Sequence, residues 1–226
     1  IVTSIAKGST GAKTLYAQWM KLDDAGCYEI ASVFDLQSFA AIVNDGSGNV
    51  CGRLTANICL NACGEDKSVL NTDGTLSADS TNFVQWTPMD VASGRNVALN
   101  GAGHTISGLF FTDSIREYVG LFGKVGGSVS IDSLGIVDSY FRSGHVAGAF
   151  VGGVSAGKAT ISNSYNMGSV NVFGEGSDVG AFIGCGGIFE IANSYNSGFV
   201  NGNGSSYLTI GGLVGWTDRG GSITNS

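Results

Sequence analysis

The chain has a single proline among its 226 residues, and only 13% of its residues are charged. Average proteins carry about 25% charged residues. Low charge and a positive mean hydropathy of +0.20 exclude intrinsic disorder, which requires low hydrophobicity and high net charge. No apolar run approaches the roughly 20 residues that span a bilayer. We therefore expect a folded domain without membrane insertion.

Basic residues are also scarce, with 11 lysines and arginines against 18 acidic residues and a net charge of −7. Nucleic-acid-binding domains need clustered positive charge to contact phosphates, and this composition does not supply it. The sequence also lacks the GxxxxGK[ST] phosphate loop and the spaced CxxC pairs of zinc sites. We therefore expect no nucleic-acid partner, no bound metal and no cofactor.

Only five cysteines are present, and three of them lie between positions 51 and 63. In an exported protein such clustering predicts at least one disulfide, and the favoured pair is Cys59 with Cys63. The other candidates for pairing are Cys27 and Cys51. Because the total is odd, one thiol stays free, and we expect it to be Cys185. The alternative is that the cysteines are small, half-buried apolar residues.

Glycine, in contrast, is abundant, at 37 residues. Four similar segments recur, namely Gly120-Leu121-Phe122-Gly123, Ala149-Phe150-Val151-Gly152, Ala181-Phe182-Ile183-Gly184 and Gly212-Leu213-Val214-Gly215. Their closing glycines are 29, 32 and 31 residues apart, and a motif of isoleucine, any residue, Asp or Asn, and serine recurs in step. This periodicity indicates stacked structural repeats of about 30 residues.

Each unit contains short runs of β-forming residues bounded by glycine and asparagine, which predicts strands and turns. Three such strands describe one coil of a right-handed parallel β-helix, an all-β solenoid whose coils bury their inner faces against each other. Glycine suits the tight corners of these coils. Proline is excluded because each central strand donates its backbone N–H groups to the next coil.

The second motif places an amide or acid, and then an aromatic residue, at equivalent positions of successive units. We interpret the first column as a structural ladder of hydrogen-bonded side chains. Its members are Asp138, Asn163, Asn193 and Asn225. The second column is an aromatic stack or, if the rings face outward, a strip for sugar ligands. Its members are Tyr140, Tyr165 and Tyr195. We expect Asn193→Leu to destabilise the fold more than a substitution at the loop residue Ser205.

The periodicity changes before the repeats. Between Ser32 and Asn44 the apolar residues follow helical spacing, and Ser32 or Asp35 can cap the first turn. We expect this single amphipathic helix to cover the first coil, since terminal repeats of solenoids need a cap. The alternation of residues 53–60 then predicts one strand with Leu54 and Ile58 on its inner face.

Two parts of the chain resemble known families. Lys7-Gly8-Ser9-Thr10-Gly11 followed by Thr14-Leu15-Tyr16-Ala17-Gln18-Trp19 resembles the closing end of the Listeria–Bacteroides repeat, the B-repeat module of internalin-B-type surface proteins. Residues 34–226 resemble GLUG-motif adhesin-like domains. The matching entry segments are Phe34-Asp35-Leu36-Gln37, Trp86-Thr87-Pro88-Met89 and Leu99-Asn100-Gly101-Ala102-Gly103-His104, and the matching repeats are the four segments given above.

The resemblances imply a division into three parts: a remnant of a small β module (1–20), an N-terminal cap with the first coils (21–118), and GLUG-like repeats that stop in mid-unit (119–226). They also imply an extracellular location on a bacterial cell surface, an adhesive or spacer role, and membership of a longer multidomain chain. They imply no particular ligand.

Parallel β-helices also include polysaccharide lyases and hydrolases, which gather carboxylates on neighbouring coils. Here the acidic residues are scattered, and the densest mixed group, Asp113, Arg116 and Glu117, lies before the first repeat. His104 lies in a turn, where a structural hydrogen bond is expected. The leading interpretation is a non-catalytic adhesin or stalk whose partner is a carbohydrate or a host or cell-surface protein. The alternatives are a polysaccharide-processing enzyme and a carbohydrate-binding module with outward aromatic residues.

Overall fold

The computed structural model describes residues 20–46, 48–204 and 207–226 of the chain. The predicted module remnant at residues 1–20 therefore lies outside the described residues, apart from Met20, and Ser205 lies outside them as well. The described residues form one α-helix, one 3-10 helix at Ala78–Asn82 and a series of short strands. The fold is the predicted all-β solenoid, a parallel β-helix.

The strands follow one another with short corners between them. In chain order they are β1 (Tyr28–Ile30), β2 (Val50–Leu54), β3 (Ile58–Cys59), β4 (Met89–Val91), β5 (Asn96–Asn100), β6 (Thr105–Ser107), β7 (Phe110–Asp113), β8 (Tyr118–Val119), β9 (Phe122–Val125), β10 (Ser128–Asp132), β11 (Gly135–Ser143), β12 (Val146–Gly148), β13 (Val151–Ser162), β14 (Tyr165–Phe173), β15 (Asp178–Gly180), β16 (Ile183–Ala192), β17 (Tyr195–Asn196), β18 (Phe199–Asn203), β19 (Thr209–Gly211), β20 (Val214–Thr217) and β21 (Gly221–Thr224).

Three parallel sheets form the sides of the β-helix. The first sheet contains β1, β2, β4, β5, β9, β10, β13, β16, β20 and β21. The second contains β3, β6, β7, β11, β14, β17 and β18, and the third contains β8, β12, β15 and β19. The coils cover residues 89–113, 118–143, 146–173 and 178–203, and β19 to β21 begin the next one. From the second coil onward, each coil passes through the third, first and second sheets in turn.

Stacked columns of apolar side chains fill the interior. In the first sheet Ile131, Ile161 and Ile191 pair in register and are completely buried. The four glycine-rich repeat segments stack at the corner between the third and first sheets. There the rings of Phe150 and Phe182 stack with their centroids 4.7 Å apart. The corner needs its glycines because a Cβ on neighbouring positions such as Gly148 would collide with the backbone of adjoining segments.

The single α-helix, α1 (Val33–Asp45), is the predicted cap. Its N-cap is Ser32, whose side chain accepts the backbone N–H of Asp35, and Gly46 ends the helix at a φ of 83°. The buried face is the one predicted from spacing: Leu36, Phe39, Ala40 and Val43. The helix packs against β1 and β4 and covers the first end of the core.

The predicted single strand at residues 53–60 is wrong. A corner at residues 55–57 separates β2 from β3, so Leu54 and Ile58 are both buried but belong to different sheets. The Asn57 side chain stabilises this corner, because its Oδ1 accepts the N–H of Thr105 at 3.0 Å. His104 Nδ1 lies 3.2 Å from the same oxygen, which is the structural contact expected of this histidine.

Two disulfides are present in the described residues, and both confirm the prediction for the cysteines. Cys27 pairs with Cys51 and holds β1 against β2, with a Cα–Cα distance of 4.7 Å. Cys59 pairs with Cys63 at a Cα–Cα distance of 5.8 Å. Cys185 is free, as expected.

Candidate functional site

The longest excursion from the coils is the segment of residues 61–84, which we call the strap. It leaves after β3 and returns before β4. The buried side chain of Asn61 ties its two ends together, accepting the N–H of Val84 at 2.8 Å and donating to the Val84 carbonyl at 2.9 Å. The same amide group donates to the Gly108 carbonyl at 2.7 Å, which fixes the base of the strap to the first coil.

Asp138 holds the middle of the strap. Its carboxylate accepts hydrogen bonds from the Ser68 hydroxyl at 2.5 Å and from the N–H groups of Val69 and Leu70 at 2.9 and 3.0 Å. The residue has a φ of 42° and lies where the register of β11 shifts between Val137 and Tyr140. The predicted place of Asp138 in the amide ladder is therefore wrong: the bulge aims its side chain at the strap.

The tip of the strap reaches the fourth coil. Leu70 and Leu76 form an antiparallel bridge, and Gly74 turns the chain between them at a φ of 78°. Gly74 lies so close to the ring of Phe199 that a Cβ would collide with it. At this tip the hydroxyl of Thr75 donates to Asp73 at 2.6 Å and lowers the pKa of that carboxyl group. The strap therefore runs along the outer face of the second sheet.

A cavity of about 620 Å³ lies within the strap, and we call it the strap cavity. Polar side chains dominate its lining. The described lining residues are Ala62, Cys63, Asp66, Lys67, Ser68, Leu70, Asn71, Ser77, Ala78, Thr81, Asn82 and Phe83. Next to the cavity, the Ser77 hydroxyl oxygen is buried and has no hydrogen-bond partner among the residues that the structure describes. Phe83 supplies an aromatic ring, held edge-to-face against Phe110 with centroids 5.5 Å apart.

An amide ladder exists along one corner, but its acidic member is Asp132. Asn225 donates to Asn193 at 3.3 Å, and Asn193 donates to Asn163 at 3.2 Å. Asn163 in turn donates to the carboxylate of Asp132 at 2.7 Å. The three asparagines have φ values of 50–51°, a left-handed conformation that asparagine tolerates. They are exposed, so the ladder lies on the outside of the coils.

Several hydrogen bonds converge on Asp132. Besides the Asn163 amide, the hydroxyls of Ser162 and Ser133 donate to its carboxylate at 2.7 and 2.9 Å. Burial alone would raise the pKa of Asp132, but these three hydrogen bonds outweigh it and lower the pKa. The negative charge thus lies at one end of a chain of amide groups that all donate in the same direction.

The predicted tyrosine column is only partly present. Tyr165 and Tyr195 stack with centroids 5.3 Å apart and an interplanar angle of 7°. The other side of the Tyr165 ring lies against Gly135, where a Cβ would collide with it. Tyr140 belongs to a different column, because it pairs with Ser169 and its ring lies 6.5 Å from that of Phe110. Both faces of the Tyr165 ring are therefore covered, whereas Tyr195, the other member of the stack, is 55% exposed.

An inner ladder was missed from the sequence. Asn166 is completely buried and donates to Asn196 of the next coil at 2.9 Å. In both coils the asparagine Oδ1 accepts the N–H of the glycine two residues later, Gly168 or Gly198. The recurrence of Asn-x-Gly thirty residues apart is the signal that indicates it.

The mixed charge group does not assemble. Arg116 binds Asp90 through two hydrogen bonds of 2.8 Å, while Asp113 accepts the nearby N–H of Ile115. Glu117 lies near Cys185 instead. Burial, followed by the carboxylates of Asp178 and Glu117, raises the pKa of the Cys185 thiol to about 12. Catalytic cysteines need a lowered pKa, so this environment disfavours a nucleophilic role for Cys185.

In the part of the chain that the structure describes, no helix combines the length and apolarity needed to cross a membrane. No protein-family model matches the sequence, and no curated protein matches it. Among solved structures, the chain is similar to a crystal structure titled as a putative immunoglobulin A1 protease from Bacteroides ovatus. That match has a TM-score of 0.54 and 16% sequence identity, and covers 89% of this chain and 65% of that chain. The likeness is one of fold.

Proposed function

We propose that this chain is a non-catalytic module of an exported bacterial surface protein, a rigid β-solenoid that serves for attachment or display. The observation that carries the proposal is that the repeated polar and aromatic side chains contact one another from coil to coil. Asn163, Asn193, Asn166 and Tyr165 are engaged with equivalent residues of neighbouring coils. Such columns stiffen a rod and leave those groups unavailable for chemistry.

Two further features support an exported setting. Disulfides such as Cys27–Cys51 and Cys59–Cys63 form and persist in oxidising compartments. The GLUG resemblance of residues 34–226 points to the same cell-surface setting.

The enzymatic alternatives have less support. A polysaccharide-processing enzyme needs converging carboxylates, whereas the charged groups of Asp90 and Arg116 are paired with each other. The fold is shared with a structure titled as a protease, which makes proteolysis the alternative to test. A carbohydrate strip on the tyrosine stack is disfavoured by the covered faces of Tyr165.

The test combines export and catalysis on the chain of residues 1–226. After expression in a bacterial periplasm, thiol counting in denaturant is expected to find a single free thiol, that of Cys185. Incubation with immunoglobulin A1 and with a panel of plant and host polysaccharides is expected to yield no cleaved heavy chain and no new reducing ends. Cleavage of either substrate by the purified chain would overturn the non-catalytic proposal, and five free thiols would overturn the export proposal.

A further inference from the structure

The strap is built more firmly than a connection requires. Loops longer than about 12–15 residues are uncommon in compact domains and usually carry a function. Residues 61–84 are fixed at the base by the Asn61 amide, near their start by Cys59–Cys63 and in the middle by Asp138. Binding loops gain affinity when their bound conformation is held in advance, because less ordering remains to be done on binding.

The strap cavity offers hydrogen-bonding groups that the protein does not use. Among the described residues, the exposed side chains of Thr81 and Asn82 line the cavity and form no hydrogen bond. The Ser77 hydroxyl oxygen has no partner there either, but it is buried away from solvent and is therefore not open to a ligand. The lining thus combines unused donors and acceptors with the aromatic ring of Phe83.

The charges around the cavity favour a neutral ligand. Asp66 and Lys67 lie in the lining and carry opposite charges. One lysine does not make a phosphate site, and the net charge of −7 on the whole chain repels anions at long range. A volume of about 620 Å³ falls within the range of small-ligand pockets. Hydroxyl-rich ligands suit a lining rich in hydroxyl and amide groups.

We propose that the strap cavity is a binding site for a neutral mono- or disaccharide, held by hydrogen bonds to Thr81 and Asn82 beside the ring of Phe83. This proposal gives the attachment role proposed above a class of ligand. It rests on that role in one respect: the sugar is bound and released without being chemically changed. The site lies on the strap, so it is separate from the tyrosine stack of Tyr165 and Tyr195.

The first test is a titration of the isotope-labelled chain, followed by amide NMR signals. Galactose, mannose, N-acetylglucosamine and sialic acid are each added up to about 20 mM, which detects the millimolar affinities of weak sites. At least one neutral sugar is expected to shift the signals of Ser77, Asn82 and Phe83 to saturation and to leave Tyr195 unchanged. No shift with any sugar, shifts with sialic acid alone, or shifts at Tyr195 would each overturn the proposal.

Matched variants then test the residues. Asn82→Ala is expected to weaken binding about tenfold, the equivalent of one lost hydrogen bond, and Asn201→Ala, an exposed amide on the second sheet, is expected to leave the dissociation constant unchanged. Thr81→Val is a second variant for the case in which Asn82→Ala fails to fold. Equal weakening in the Asn82 and Asn201 variants would contradict the assignment. A sugar that binds and is chemically altered would overturn the non-catalytic proposal alone, whereas the absence of binding would remove only the sugar site.

Discussion

Asparagines connect the coils at exposed and at buried positions, and the burial of each asparagine determines how much it contributes to the stability of the fold. Asn193 lies outside, where water can replace a lost hydrogen bond. Asn166 lies inside with an exposed fraction of 0%, where water cannot replace the bonds that its own amide makes. The sequence suggested that the outer ladder was the critical one, because exposure cannot be read from a recurring Asn-Ser motif. The inner ladder is the one whose loss leaves groups unpaired.

The two ladders predict different losses of stability. Asn166→Leu is expected to lower the free energy of unfolding by about 2–4 kcal/mol, because the amide of Asn196 and the N–H of Gly168 lose a buried partner. Asn193→Leu is expected to lower it by about 1–2 kcal/mol, since leucine must adopt a φ of 50° at an exposed site. Guanidinium unfolding of the two variants measures the difference. The reverse order would show that the outer ladder dominates.

Asp132 predicts a pH dependence of the outer ladder. Its folded pKa is lowered, so its contribution is fully present above the unfolded value of about 3.9 and is lost as the pH falls through the folded pKa. Asp132→Asn is therefore expected to be less stable than the natural chain at pH 6, and the two are expected to converge only after the pH has fallen below the lowered folded pKa. Urea midpoints across this range measure the gap. A gap that stays constant with pH would contradict the role of the charge.

Helices and corners whose structure depends on residues close together in the sequence were predicted correctly from local sequence patterns. The spacing of Leu36, Phe39 and Val43 predicted the buried face of α1, and the glycine-rich segments predicted the corner that contains Phe150. The strap could not be predicted, because its anchor joins Val69 to Asp138 across 69 positions of the chain. Long-range contacts of this kind leave no periodic trace in one sequence.

The misplaced Asp138 shows how a short similarity misleads. Asp-Ser-Tyr at residues 138–140 looks like Asn-Ser-Tyr at residues 163–165. The backbone pairing instead aligns Gly135 with Tyr165, so Ser133 is the equivalent of Asn163. Counting from the closing glycine of each repeat indicates this register, since Ser133 follows Gly123 at nearly the distance that separates Asn163 from Gly152.

Removing the strap anchor is expected to loosen the strap alone. Asp138→Ala deletes the acceptor of the Val69 and Leu70 N–H groups. Hydrogen exchange at these two amides is therefore expected to accelerate at least about tenfold, the equivalent of roughly 1.4 kcal/mol, with little change in global unfolding. Asp113→Ala is the matched control, because its carboxylate accepts the local Ile115 N–H and no other hydrogen bond among the described residues. Unchanged exchange at Leu70 would show that other contacts hold the strap.

Across the whole molecule, the covalent cross-links are confined to the capped end. Cys27–Cys51 spans 24 positions and Cys59–Cys63 spans 4, while the coils from residue 89 onward contain no disulfide among the residues described. Stability there comes from the columns of residues such as Ile161 and Phe182. The cross-links thus lie among residues 27–63, which precede the four coils and form the cap with α1.

The loop lengths predict unequal contributions from the two disulfides. The chain-entropy relation gives about 3.5 kcal/mol for closing the longer loop and about 2 kcal/mol for the shorter one. The double variant Cys27→Ser with Cys51→Ser is therefore expected to unfold at lower guanidinium concentration than Cys59→Ser with Cys63→Ser. Equal midpoints would indicate that the region around β1 and β2 unfolds separately from the coils.

The strap also changes how the β-helix carries a pulling force. A solenoid pulled from one terminus peels coil by coil, because each coil is held only by its neighbour. Here the strap links the first coil to the second through Asp138 and reaches the fourth through Gly74 and Phe199. Tension applied at the end that carries Phe199 is therefore transmitted through the strap to the first and second coils before the coils between them have unfolded.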